Sequence, residues 1–309
     1  MSGSIRRAIV FLAATLALLG ASVRAGSAGH GVKVAATGLR FPEGPIFIGS
    51  TLYFVDYAAS AVLRLVAGKL EEVWRREGCG ANGLAALQRR LFVACYDSGS
   101  IIAISTEGKT LETIEHDDAG GRFVKPNDLA TDGGGGLYFT ASGDGSVPGK
   151  VYYRAPAGQV SQVAEGIAYA NGIAVSRDDR TLYVVESDTH RLLAFAIGRN
   201  GSLSKERILV DLQRILDEGG KLKVTPDGLR LDGNGRLFVG LYDGGGFAVL
   251  TGGGRLIRKI VLPGRYHANL AISPDGRQVF VTATDEGSGG RVLKVDNPLA
   301  HCLSSKRRR

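Results

Sequence analysis

The chain has 309 residues, of which 45 are glycine and 44% are apolar, a mixture that suits many tight turns between short strands. Coiled coil, collagen and disorder each need a different compositional bias and are excluded. The net charge of +8 sits at the ends: three arginines before residue 26 and four basic residues at 306–309 leave the body nearly neutral, with no electrostatic footprint for nucleic acid.

From the N-terminus, Arg6-Arg7, an apolar run of 13 from Ala8 to Gly20, and the small-x-small site Val23-Arg24-Ala25 read as a signal peptide over residues 1–25. The run falls short of the ~20 apolar residues a membrane helix needs, so no stable membrane anchor is expected. The mature chain is expected to start near Gly26 and to be exported, periplasmic or secreted. Its three cysteines leave at least one unpaired. Cys79 and Cys95 are close enough to bridge across a hairpin, but geometry decides between bridge and free thiols, and Cys302 belongs to the tail. Residues 304–309 are read as a basic, solvated tail.

Beyond a first strand at Val32–Ala36, one phrase recurs six times: a polar anchor, a short apolar strand, a turn, then a strand rich in apolar and aromatic residues. The anchors are Glu43, Asn82, Asn127, Asn171, Asp227 and Asn269, spaced by 39, 45, 44, 56 and 42 residues. The strands that follow the turns open at Leu52, Leu91, Leu137, Leu182, Leu237 and Val279. Third strands follow, such as Leu192–Phe195, and fourth strands in most copies, such as Val160–Val163. Four strands in about 45 residues make one propeller blade. The prediction is an all-β, six-bladed β-propeller over residues 26–303. Val32–Ala36 should close the ring beside Val292–Val295 and so remove an exposed edge. The longest interval holds Asp211–Leu216, whose helical spacing suits a cover over one mouth of the channel.

Several familiar motifs fail. Gly78-Cys79-Gly80-Ala81-Asn82-Gly83 matches GxGxxG, but the repeat makes it the start of the second blade and not a βαβ unit. No serine stands in a GxSxG elbow. His30, His116, His190, His267 and His301 are scattered without metal-type spacing.

The six anchors are all carboxylates or carboxamides, and equivalent positions of a propeller lie at one height around the axis. Asn and Asp favour turns, yet that preference alone predicts Gly and Ser among the six. An oxygen cage without His or Cys suits a hard ion. Calcium fits best, because it tolerates irregular coordination, whereas magnesium demands a stricter octahedron; another divalent cation remains an alternative.

The phrases Phe41-Pro42-Glu43-Gly44-Pro45, Lys125-Pro126-Asn127-Asp128, Ala170-Asn171-Gly172-Ile173 and Pro226-Asp227-Gly228-Leu229 resemble the SMP-30/gluconolactonase/LRE-like family. The resemblance implies a six-bladed propeller with one divalent cation, usually calcium, in the channel. Its ligands carry over onto Glu43, Asn171 and Asp227, with Asn127 near both metal and substrate. Lys125, Asn82 and Asn269 join Asn127 as candidate substrate contacts. Two departures from the family pattern are Lys125, often arginine, and Ala141, commonly aspartate.

The expected activity is calcium-dependent hydrolysis of a small lactone or ester, the ion polarising the carbonyl for attack by water. Asp227 is the base the family suggests, and His267, two residues before Asn269, is an independent candidate. A second reading keeps the ion as structural in a non-catalytic exported propeller that binds a small ligand or a protein.

Overall fold

The structure, a computed structural model, describes residues 31–217, 219–286 and 289–300. The signal segment 1–25 and the tail with Cys302 lie outside these residues. Among the described residues no helix is long and apolar enough to cross a membrane.

Among the described residues twenty-four strands form six four-stranded antiparallel sheets. Their innermost strands are Pro42–Ile48, Ala81–Leu87, Pro126–Thr131, Ala170–Val175, Thr225–Leu231 and Tyr266–Ile272. The sixth sheet recruits Lys33–Leu39 as its outer strand, pairing Val34 with Leu293 and Ala36 with Val292, so the ring closes as the sequence predicts. The propeller is thus built as the repeat dictates.

Packing between blades holds the ring together. The second strands are buried on both faces, as in Leu91-Phe92-Val93-Ala94-Cys95, and so read as continuous apolar runs. Six buried clusters each join two neighbouring blades, for example Val55, Val62 and Trp74 of the first with Leu84, Val93 and Ile102 of the second. Truncating one such residue, as in Leu237→Ala, leaves a cavity in both walls of an interface and costs about 2–5 kcal/mol.

Four anchors are followed by glycine, and the axis shows why. A Cβ on Gly83 would lie 2.3 Å from the Asn127 carbonyl oxygen, and one on Gly172 would lie 2.3 Å from that of Asp227. Inner strands meet there with no room for a side chain. Cys79 and Cys95 form a disulfide with Cα atoms 4.6 Å apart, which ties the start of the second blade to the end of its second strand. The predicted helix forms at Leu212–Leu216, capped by Asp211, whose carboxylate accepts the Arg214 N–H at 2.9 Å.

Candidate metal centre and active-site cavity

Five inner strands break their pairing register across the anchor, and the first breaks it directly after Glu43, which still pairs with Val55. A bulge re-aims the residue it carries, and bulges favour sites. Six register breaks at one end of one ring thus loosen the ladders at or beside the anchors.

Five of the six then line one cavity of about 320 Å³: Glu43, Asn82, Asn127, Asn171 and Asp227. Phe41, Tyr169, Tyr242, Ser187, Asp188 and Thr225 complete its wall. A larger depression of about 940 Å³ opens at the opposite hairpin turns, around Asp232–Asn234 and Ser273–Arg277, and holds no anchor.

Asn269 departs from the expected ring. It does not line the cavity: its Nδ2 lies 3.4 Å from the Asp128 Oδ2, and its Oδ1 accepts the Leu270 N–H at 2.9 Å. Asp128 was not singled out by the sequence. It is buried beside the anchors and pairs with Arg230 at 2.9 Å.

Two further expectations are corrected. Lys125 does not line the cavity, and its ammonium sits 5.5 Å from the centroid of the Tyr96 ring. His267 is fully buried, with Nε2 3.3 Å from the Pro263 carbonyl and Nδ1 unpartnered, and it too is absent from the wall. Burial holds its pKa below the ordinary value. An imidazole enclosed outside the cavity is not placed to act on a substrate there. Nor does the helix at Leu212–Leu216 cover the site; its first N–H bonds the His190 carbonyl at 2.8 Å, beside the wall loop.

The acids that end the second strands of blades one and four have a structural task. Asp56 accepts the N–H groups of Arg40 and Phe41 at 2.8 and 3.0 Å, and Glu186 accepts that of Ala168 at 2.8 Å. Each braces the loop that leads into its own blade. Blade three, with Ala141 at this place, lacks such a brace and keeps only the backbone bond common to the three blades, from the Ser142 N–H to the Lys125 carbonyl at 2.8 Å.

The electrostatics of the cavity are one-sided. Glu43 is buried; its Oε2 accepts the Gly44 N–H at 3.1 Å, and the Asn269 side chain adds a hydrogen bond that opposes the rise in its pKa. Burial first, then Asp227 and Asp128, push its pKa well above the usual carboxylate range. Asp227 is pushed up to about 8 by burial and then by Asp128, against a smaller opposing effect of Asn171. Among the described residues no lysine, arginine or histidine pairs with either carboxylate. Both want a proton or a cation.

The amides supply the rest of a donor set. The Nδ2 of Asn127 donates to Ser142 Oγ and that of Asn171 to Ser187 Oγ, each at 3.0 Å. Each nitrogen is engaged by its serine, and the Asn171 side chain also hydrogen-bonds the Asp227 carboxylate, while the two Oδ1 atoms accept no hydrogen bond among the described residues. Among the described residues no three His, Cys, Asp or Glu side chains cluster to hold a metal, so an ion here must draw on amide oxygens. Two unpaired carboxylates with amide oxygens fit a hard divalent cation.

The profile of the SMP-30/gluconolactonase/LRE-like region matches residues 41–285. The chain belongs to this family. Lactonase drp35 of Staphylococcus aureus strain MW2 is 31% identical over 227 residues, 68% of this chain and 67% of that protein. A gluconolactonase structure from Xanthomonas campestris superposes with a TM-score of 0.72 at 23% identity, covering 86% of this chain and 89% of that one. A calcium-binding protein, regucalcin, from Agrobacterium tumefaciens C58 gives 0.67 at 19% identity, covering 85% and 92%. At these identities the two structures show the fold, and they agree on the propeller.

Proposed function

We propose that this chain hydrolyses small lactones or related esters with a divalent cation, calcium by preference, held by Glu43, Asn127, Asn171 and Asp227. The observation that carries this reading is a pair of carboxylates without a basic partner, set among amide oxygens in the cavity. Its relatives include a lactonase and a gluconolactonase, and the regucalcin neighbour is described as calcium-binding.

When bound, the cation supplies polarisation of the lactone carbonyl and compensation of charge on its oxygen. The chain does the rest. Asp227 takes the proton of the attacking water at a carboxylate oxygen and returns it to the ring oxygen as the acyl C–O bond breaks, so that one hydroxy acid is released. Asn82 is the least committed amide donor, its one contact being 3.4 Å to the Asn127 carbonyl, and it orients a substrate oxygen. Phe41, Tyr169 and Tyr242 seat the carbon skeleton and exclude water.

The same proposal places the chain outside the cytoplasm. The segment at 1–25 supports it, and so does the Cys79–Cys95 disulfide, a bond that persists in oxidising compartments.

The test is a panel of γ- and δ-lactones, polyhydroxylated and alkyl-substituted, assayed with calcium and after chelation. Turnover that falls on chelation and returns with calcium is expected. A chain that holds calcium by calorimetry yet turns over no lactone would leave a binding protein instead.

A further inference from the structure

Blades three and four carry the same small device next to the cavity. In each, the residue before the inner strand is held in the left-handed region, Lys125 at φ 57° and Tyr169 at φ 60°. Non-glycine residues adopt this region at a cost, and such outliers cluster at working sites. Their carbonyls accept the N–H groups of Ser142 and Ser187 at 2.8 and 3.2 Å. Both serines are 3% exposed, each one residue past the end of a second strand.

Each hydroxyl is then used twice. Ser142 Oγ donates to the Ala170 carbonyl at 2.9 Å and accepts the Asn127 amide at 3.0 Å. Ser187 Oγ donates to the Pro226 carbonyl at 2.7 Å and accepts the Asn171 amide at 3.0 Å. A hydroxyl has one proton, and a backbone carbonyl can only accept. The serine proton is therefore committed to the next blade, and its oxygen can only receive. A lone hydroxyl would satisfy either face of an amide; this one admits only the NH₂ end. A flipped amide would set oxygen against oxygen at the serine and turn N–H groups toward the carboxylates' cation.

We infer that Ser142 and Ser187 are positioning residues that fix Asn127 and Asn171 with Oδ1 as the metal donor. The inference rests on the cation part of the proposed function and not on its lactone chemistry. It also links three ligands in consecutive blades: Asn127 through Ser142 to the carbonyl before Asn171, and Asn171 through Ser187 to the carbonyl before Asp227.

The experiment is calorimetric titration of the metal-free full chain with calcium. Ser142→Ala and Ser187→Ala should each raise the dissociation constant about 10–100-fold, the usual effect of losing a group that orients a metal ligand. Ser187→Thr, which keeps the hydroxyl, should bind like the wild type. A carboxylate has no wrong face, so in an Asn171→Asp background the cost of Ser187→Ala should shrink to about twofold, the limit of additivity. Lower melting temperatures with unchanged calcium affinity, or an undiminished cost in that background, would overturn the inference. If the alanine variants do not fold, the wild type still decides: side-chain NH₂ protons of Asn127 and Asn171 should exchange slowly in the metal-free chain, and rapid exchange counts against the proposal. Calcium binding indifferent to both serines removes this inference alone, whereas no calcium binding by the wild type removes the cation reading with it.

Discussion

Three carboxylates stand near the axis, and their surroundings divide them. Asp128 receives the Arg230 guanidinium at 2.9 Å, with its own Leu129 N–H at 2.9 Å. Glu43 and Asp227 have no cation of their own among the described residues, and their proton affinity is raised. Arg230 belongs to the same inner strand as Asp227, yet it passes over Asp227 for Asp128. A fold that supplies one internal counter-charge and leaves two acids bare suits the proposed uptake of a cation from solution. The difference separates a carboxylate paired within the ring from two that the proposed function assigns to a cation.

The largest effect should come from the bare pair. Asp227→Asn keeps an oxygen donor but loses the charge and the capacity to take a proton; Glu43→Gln loses only charge at the other side of the cavity. At saturating calcium, Glu43→Gln should recover lactonase activity, while Asp227→Asn should remain about 10²–10⁴-fold down in kcat. Recovery of both variants would make the two acids equivalent ligands and leave the base unassigned.

Breaking the satisfied pair should act on folding instead. Arg230→Met strands Asp128 as a buried charge and should cost about 3–5 kcal/mol in denaturant melts, while the double variant with Asp128→Asn recovers most of it. Loss of stability on removing Arg230 that the second substitution does not relieve would show the arginine packing rather than neutralising.

This division is where the sequence stopped being legible. The blades could be read because each repeats the same strand phrase, and each glycine after an anchor answers the same crowding at the axis. Five anchors could be read into one cavity because their positions are equivalent. Asp128 and Arg230 are 102 residues apart, and Asp128 takes a place after the anchor that four other copies give to glycine, so nothing local announces their pairing. Asn269 keeps the repeated letter but turns to Asp128, which only the three-dimensional neighbour explains. His267 was drawn in by its closeness to Asn269; the register break between His267 and Leu270 separates the two side chains. Ser142 and Ser187 look like turn serines, yet their identical place after two second strands was a signal available in the repeat.

The sharpest test of the bare pair is the pH dependence of stability in the metal-free chain. Glu43 and Asp227 both have folded-state pKa values raised above the ordinary carboxylate range, Asp227 to about 8 from 3.8. For an acid raised on folding, the native state binds the proton more tightly than the unfolded chain. Its stabilising contribution is complete below the ordinary carboxylate pKa and is lost as pH rises through the folded value. The metal-free chain should therefore lose melting temperature as pH rises from about 4, with the Asp227 contribution lost by about pH 8 and the Glu43 contribution lost in the same direction. Calcium competes with those protons, so its affinity should rise across the same interval. At 100 times its dissociation constant it should add about 2.7 kcal/mol where it binds the native state alone. Glu43→Gln with Asp227→Asn should flatten the metal-free profile, since neither amide titrates. Arg230→Met should lower that profile without flattening it. A double variant that keeps the slope would assign it to carboxylates outside the cavity.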